Sequence, residues 1–299
     1  MKRSALKALS PTALSPTALV PTALALVGLL ALTGCGGAAS ASGTEGAGGS
    51  EASGFTPVQE GKLTVCSEMP YEPFEFVNDA GETVGFDVDI ATALADDLGL
   101  ELEVISTSFE GIQSGVALDA GQCDLAMAGM AITEERATKM DFSKPILNDN
   151  LALMAHKDSG FTSIEDVTEL KVGVQQATTS ETVAEERGVV SPVQFEELGL
   201  LTQSVAAKQI DAGIANVSAI NTATQQDPNL VLVEDLETGE VLGAAVKKGN
   251  TELLEAFESN MTDLRESGEY DAIVEEWFGA VADEARVTDE DLAAFGTGN

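Results

Sequence analysis

The chain has 299 residues, with 15 Lys and Arg against 50 Asp and Glu and a formal charge of −35. That length suits one large domain or two ordinary lobes, and the charge makes nucleic acid and anionic lipid surfaces poor partners. His156 is the sole histidine. A zinc centre or a histidine-based triad therefore has almost nothing to be built from, and neither a metal nor a cofactor is expected.

At the start of the chain Lys2, Arg3 and Lys7 precede an apolar run over residues 23–32 and then small residues. This is the order of an export signal. Leu32-Thr-Gly-Cys35 resembles the lipobox of bacterial lipoproteins, which implies acylation of Cys35 and removal of residues 1–34; the alternative is an ordinary signal peptide with a chance cysteine. Two or more acyl chains on one residue anchor stably where a single chain does not. The Pro-Thr-Ala-Leu repeats at Pro11, Pro16 and Pro21 fall inside the removed segment. Residues 35–54 read as a Gly/Ser/Ala tether, a flexible coil reaching roughly 25 Å. Without the three cations of the signal the charge becomes −38. No later run is long and apolar enough to span a bilayer.

From residue 55 short strand patterns alternate with helical ones. Residues 63–66 predict a strand. Asp87 is a candidate N-cap for a helix with Ile90, Ala91, Leu94 and Leu98 on one face, ended by Gly99. Residues 102–105 predict a strand, 110–118 a helix and 125–128 a strand, and Thr133 caps a short helix through Lys139. A second series follows, with strands at 171–174, 210–215 and 230–233 and helices at 180–186 and 198–208. The stretches 151–156 and 243–247 are expected to be hinge strands crossing between lobes. Helices at 251–265 and 270–277 return to the first lobe. The expected fold class is α/β, with two Rossmann-like lobes joined by two hinge strands around a ligand cleft. The expected division is 55–150 and 246–279 for lobe 1, 151–245 for lobe 2 and 280–299 as a C-terminal extension, where Thr288 could cap a short helix. If the strands that carry them are parallel neighbours, Cys66 and Cys123 fall at opposite ends, so buried free thiols are expected, with a disulfide as the alternative.

Seven segments occur in order: Tyr71-Glu-Pro-Phe-Glu-Phe76, Gly85-Phe-Asp-Val-Asp89, Ala131-Ile-Thr-Glu-Glu-Arg136, Asp141-Phe-Ser143, Val172-Gly-Val-Gln-Gln-Ala-Thr-Thr179, Val246-Lys-Lys-Gly249 and Trp277-Phe-Gly279. Together they resemble the bacterial extracellular solute-binding proteins that feed polar amino acids to ABC importers, over about residues 60–279. The resemblance implies a periplasmic-binding-protein-like fold of type II. It also implies that Arg136 holds a ligand α-carboxylate and that Tyr71 and Phe109 sandwich its side chain. Chemistry agrees: a guanidinium in the first turn of a helix can clamp a carboxylate bidentately, and aromatic faces pack aliphatic stems and attract cations.

Gln175, Thr178 and Thr179 come from a strand-to-helix turn in the second lobe, whose N–H groups and hydroxyls could complete an anion site or simply cap the helix. Glu68 ends the first strand, where it could face the ligand side chain or remain a solvated carboxylate. Ala128 ends the third expected strand and Gly129 follows it. Two positions depart from the family pattern. Ala131 stands where Ser or Thr is common, and Asn216 replaces the aspartate that pairs with a ligand ammonium. Losing the charge weakens such a bond. An α-amino acid then binds through carbonyls near Gly129 and through Glu68, or the ligand carries a secondary, cyclic or quaternary amine.

The resulting expectation is a monomeric, lipid-anchored receptor on the extracytoplasmic face of the bacterial cell membrane. It would deliver a polar amino acid or related zwitterionic carboxylate to an ABC permease, without catalysis. The alternatives are a cleft enzyme of dehydratase or lyase type, with Glu68 as acid, and a ligand-sensing lipoprotein.

Overall fold

The computed structural model describes residues 54–295. The signal segment, Cys35 and all but the last residue of the tether lie outside the described residues, as do residues 296–299.

Two five-stranded mixed sheets organise the chain. In the first, Glu101–Ser106, Lys62–Ser67 and Leu125–Ala126 run parallel, and Ala245–Lys247 then pairs antiparallel with Leu125–Ala126 and with Met140–Phe142. The second sheet repeats this plan. Val193–Phe195, Val172–Gln175 and Ala212–Asn216 run parallel, and Leu151–His156 inserts antiparallel between Ala212–Asn216 and Leu230–Asp235. Parallel neighbours need crossovers, which the helices supply. Phe86–Leu98 packs Phe86, Ile90, Ala91 and Leu94 onto the first sheet and ends at Gly99 in the left-handed conformation. Thr251–Ser267 and Glu269–Phe278 cover the same lobe, with Leu253, Phe257, Tyr270 and Val274 buried.

The crossings differ from the expected ones. Leu151–His156 is fully buried inside the second sheet and Ala245–Lys247 belongs to the first. The chain passes between lobes just before each of them. Leu147–Asn148 pairs antiparallel with Val241–Leu242 in a separate two-stranded ribbon. These strands are two residues long, too short to show a period of two, whereas the longer apolar runs beside them attract the strand assignment. The C-terminal extension packs on this ribbon. Asn148 Nδ2 donates to the Arg286 carbonyl at 3.0 Å, and the Val287 N–H donates to the Tyr270 hydroxyl, which donates to the Ile146 carbonyl at 3.0 Å. Thr288 caps the last helix, Asp289–Ala294, in a reciprocal box with Asp291.

Three further expectations are corrected. Asp87 is not an N-cap: it lies one residue inside the helix, is buried, and accepts the Gly129 N–H at 2.9 Å. The helix expected at 110–118 is two, Phe109–Gln113 and Val116–Asp119, broken where Gly115 takes φ 77°. Cys66 and Cys123 are not free thiols but form a disulfide, with Cα atoms 5.7 Å apart. The strand begins only at Leu125, and the chain bends at Asp124. That bend carries Cys123 back over the sheet face on which Cys66 lies, beside Leu118 and Ala126.

Candidate functional site

Brought together around one cavity between the two sheets are Glu68, Tyr71, Phe109, Ala128, Gly129, Ala131, Arg136, Gln175, Thr178, Thr179 and Asn216, all eleven positions selected in the sequence. Their common origin is topological. Glu68, Phe109 and Gly129 follow the carboxyl ends of the three parallel strands of the first sheet, while Gln175 and Asn216 end two strands of the second. The carboxyl ends of parallel strands are where α/β sheets bind ligands.

Arg136 is 4% exposed. Thr133 Oγ1 accepts its backbone N–H at 3.2 Å and so fixes the start of Glu134–Ala137. Nη1 donates to the Ala131 carbonyl at 2.8 Å and Nη2 to the Ala177 carbonyl, across the cleft, at 3.2 Å. The guanidinium lies 5.1 Å from the centre of the Phe109 ring, within the range of cation–π attraction. Burial lowers its pKa to about 10, against the opposing pull of Glu240 and Glu135, so it stays cationic at neutral pH.

Tyr71 also lines the cavity and is stacked on Phe74 with ring centres 5.4 Å apart. Gly129 lies against both rings. A β-carbon there would come within 2.8 Å of Tyr71 and 3.0 Å of Phe74, and its φ of 51° further disfavours a side chain. Burial pushes the Tyr71 hydroxyl well above its usual pKa, and neighbouring carboxylates add to this. It is therefore a neutral donor, and it donates to Asn216 Oδ1 at 2.6 Å. The Asn216 side chain in turn hydrogen-bonds the buried Asp149 carboxylate, which also accepts from Ser218 N–H at 3.2 Å and Ser218 Oγ at 2.5 Å. Burial raises Asp149 to about 7 despite these bonds.

Glu68 accepts from Gln175 Nε2 and, at 3.3 Å, from the Phe109 N–H. Burial raises its pKa and these donors oppose the shift. Gln226 likewise donates to Glu72. Together with Arg136–Ala177 and Tyr71–Asn216, these bonds join the lobes directly. Thr178 donates to the Gln175 carbonyl at 2.7 Å and precedes the helix Thr179–Glu186. The lining leaves about 20 Å³ free, room for about one water molecule. A larger cavity of about 520 Å³ lies between the crossing ribbon and the C-terminal extension; its charged lining residues are all acidic, Asp149, Asp235, Glu240, Glu284 and Asp291.

One lining residue escaped the sequence reading. Glu240 precedes the crossing strand Val241–Leu242 and borders the cavity beside Arg136 and Thr179. Burial raises its pKa, while the Thr179 side chain and Arg136 oppose the shift. Its Oε2 is buried and finds no hydrogen-bond partner among the described residues. Nothing in its local sequence marks it among 50 acidic residues.

Two α/β lobes closing on a cavity that holds one buried guanidinium and an aromatic wall define a solute-binding protein of the two-lobe, type II kind. Residues 63–280 match the bacterial extracellular solute-binding proteins, family 3, and the chain belongs to that family. It is similar to the arginine-binding extracellular protein ArtP of Bacillus subtilis (strain 168), with 29% identity over 83% of this chain and 92% of that one. Among solved structures it resembles an ancestral arginine-binding protein bound to arginine, at 37% identity and TM-score 0.68 over 73% of this chain and 99% of that one. It also resembles the ancestral amino acid-binding protein AncCDT-1, a precursor of cyclohexadienyl dehydratase, at 34% identity and TM-score 0.69, covering 73% and 96%. No helix among the described residues is long and apolar enough to cross a membrane.

Proposed function

We propose that the protein is the lipid-anchored substrate-binding component of an ABC importer, held outside the cytoplasmic membrane by Cys35, and that it binds a polar amino acid or related small zwitterionic carboxylate by closing its lobes. The observation that carries this reading is the buried, cationic Arg136, whose guanidinium bonds two backbone carbonyls and, among the described residues, no carboxylate. A carboxylate of the ligand would take over one or both of those positions with a stronger, charge-assisted bidentate bond. Glu68, Gln175, Thr178 and Thr179 would line the rest of the ligand, with Tyr71 and Phe109 against its stem. The free volume is far below that of an amino acid, so entry requires the interlobe bonds to part and re-form around the ligand.

A thermal-shift screen of the protein against L-amino acids, each beside its decarboxylated amine, tests this. A ligand at about a hundred times its dissociation constant adds roughly 2.7 kcal/mol of stability. Stabilisation by an amino acid but not by its amine is the expected result. Arg136→Ala should then weaken binding by about 2–5 kcal/mol in calorimetry, since it strands a buried carboxylate. No stabilisation by any amino acid, or an Arg136→Ala variant that binds as well as wild type, overturns the reading. No chemical step belongs to this function, and ligand turnover detected by chromatography would replace it with the enzymatic one.

A further inference from the structure

We infer that Glu240 is the specificity-determining carboxylate that receives the ligand's α-ammonium, a role that Asn216 cannot fill because its amide is already committed on both sides. This rests on the proposed function and sharpens it. Asn216 Oδ1 takes the Tyr71 hydroxyl and its side chain bonds the Asp149 carboxylate, so both ends of the amide serve to join Tyr71 of one lobe to the base of the other. Asn216 is 8% exposed, and a ligand cation reaching it would compete with that bond.

Glu240 has the opposite character. It lies on the crossing segment, between the lobes rather than on one, and borders the same cavity as Arg136, Thr179 and Asn216. The Thr179 side chain engages the carboxylate, while the buried Oε2 has no partner among the described residues. An unpaired buried carboxylate oxygen costs stability, and an ammonium removes that cost. The carboxylate also acts electrostatically on both Arg136 and Tyr71. An α-ammonium sits one carbon away from its carboxylate, so its acceptor must act close to Arg136; Glu240 is the lining carboxylate that acts electrostatically on that guanidinium, while Glu68 is already engaged by Gln175 and Phe109. The charge count extends the inference to ligand class. Arg136 is balanced by one of Glu240 and Glu68, leaving the cavity with a net single negative charge. An amino acid with a second cationic group neutralises it.

The test is calorimetry with L-arginine and with 5-guanidinopentanoic acid, which lacks only the α-amine, on wild type and Glu240→Gln. If the screen above selects another amino acid, that compound and its desamino acid replace the pair. Glutamine keeps the shape and can still accept from Thr179, and a ligand-free melting temperature at or above that of wild type verifies the fold. Wild type is expected to prefer L-arginine. In Glu240→Gln the affinity for L-arginine should fall by about tenfold to a hundredfold, while the desamino acid binds equally well or better, because Arg136 faces less opposing charge. Asn216→Ala should weaken both probes alike. An equal change for both probes in Glu240→Gln, or no change in either, overturns the assignment. So does an Asn216→Ala variant that alone loses the preference for the amine. Wild type that binds no amino acid removes the functional reading and this one together.

Discussion

The two walls of the cleft are built differently. The wall from the first lobe is held by structure that does not depend on closure: a disulfide beneath Phe109 and Ala128, a glycine seated against two stacked rings, and a buried Asp87 that fixes the Gly129 N–H. The wall from the second lobe consists of side-chain amides and hydroxyls, Gln175, Thr178, Thr179 and Asn216, of which Gln175 and Asn216 bond across the gap as well as to Glu196 and Asp149 on their own side. One wall is thus held wholly within its own lobe, and the other completes part of its hydrogen bonding across the gap. A receptor that binds by closure needs this asymmetry, because a fixed wall supplies shape and charge while a movable one supplies the reward for closing.

The largest expected effect comes from unlocking the first wall. Cys66 and Cys123 are 57 positions apart, and closing a loop of that length stabilises by about 4 kcal/mol in the chain-entropy account. Cys66→Ser with Cys123→Ser should lower unfolding stability by about 2–5 kcal/mol in urea titration. The loss in ligand affinity should exceed that of a destabilised second-lobe variant, because Phe109 and Ala128 share the disulfide's cluster. A double variant that unfolds at the same urea midpoint would show that packing alone holds this wall.

A smaller effect separates the walls by pH. Each is backed by a buried carboxylate, Asp87 raised to about 6 behind Gly129 and Asp149 raised to about 7 behind Asn216, in both cases mainly by burial. A carboxyl whose pKa is higher folded than unfolded contributes stability at low pH and loses it as pH rises through the folded value. Acidification from pH 8 to 5 should therefore stabilise the protein, with Asp149 contributing about 3 kcal/mol at about 1.4 kcal/mol per pKa unit. Half-buried carboxylates lowered by their partners, such as Glu103 and Asp141, act only at more acidic pH. Asp149→Asn should remove the part of the rise nearest neutrality and leave the part due to Asp87. An unchanged profile in Asp149→Asn would place the titrating group elsewhere.

The same contrast explains what could be read from the sequence. The alternation of strands and helices was legible because helical and strand periods differ, and the first wall was legible because its residues follow strand ends in motif-bearing loops. Arg136 and Tyr71 are of this kind. The crossings were not, since two-residue strands carry no period and the apolar runs at 151–156 and 243–247 look more like strands than the ribbon does. Glu240 was hidden for the same reason and by the abundance of acidic residues around it. The disulfide depended on a bend at Asp124, a single backbone turn that no pattern of side chains records. Asp87 looked like a cap because Asp usually is one before a helix, yet tertiary contact with Gly129 draws it inward.

The smallest effect tests the contact where the two walls touch. Tyr71→Phe keeps the stack on Phe74 and the packing against Gly129 but removes the hydroxyl that donates to Asn216. One such bond contributes about 1 kcal/mol net. The loss should appear in the closed state alone, because in an open cleft water serves both groups. Unfolding stability without ligand should fall by no more than about 1 kcal/mol, and small-angle scattering should show a larger average size as open forms gain population. Ligand affinity should fall by about fivefold, the factor that 1 kcal/mol represents at 25 °C. An affinity loss with no change in size would make the hydroxyl a ligand contact instead of a latch, and Asn216 would then be free to meet the ligand directly.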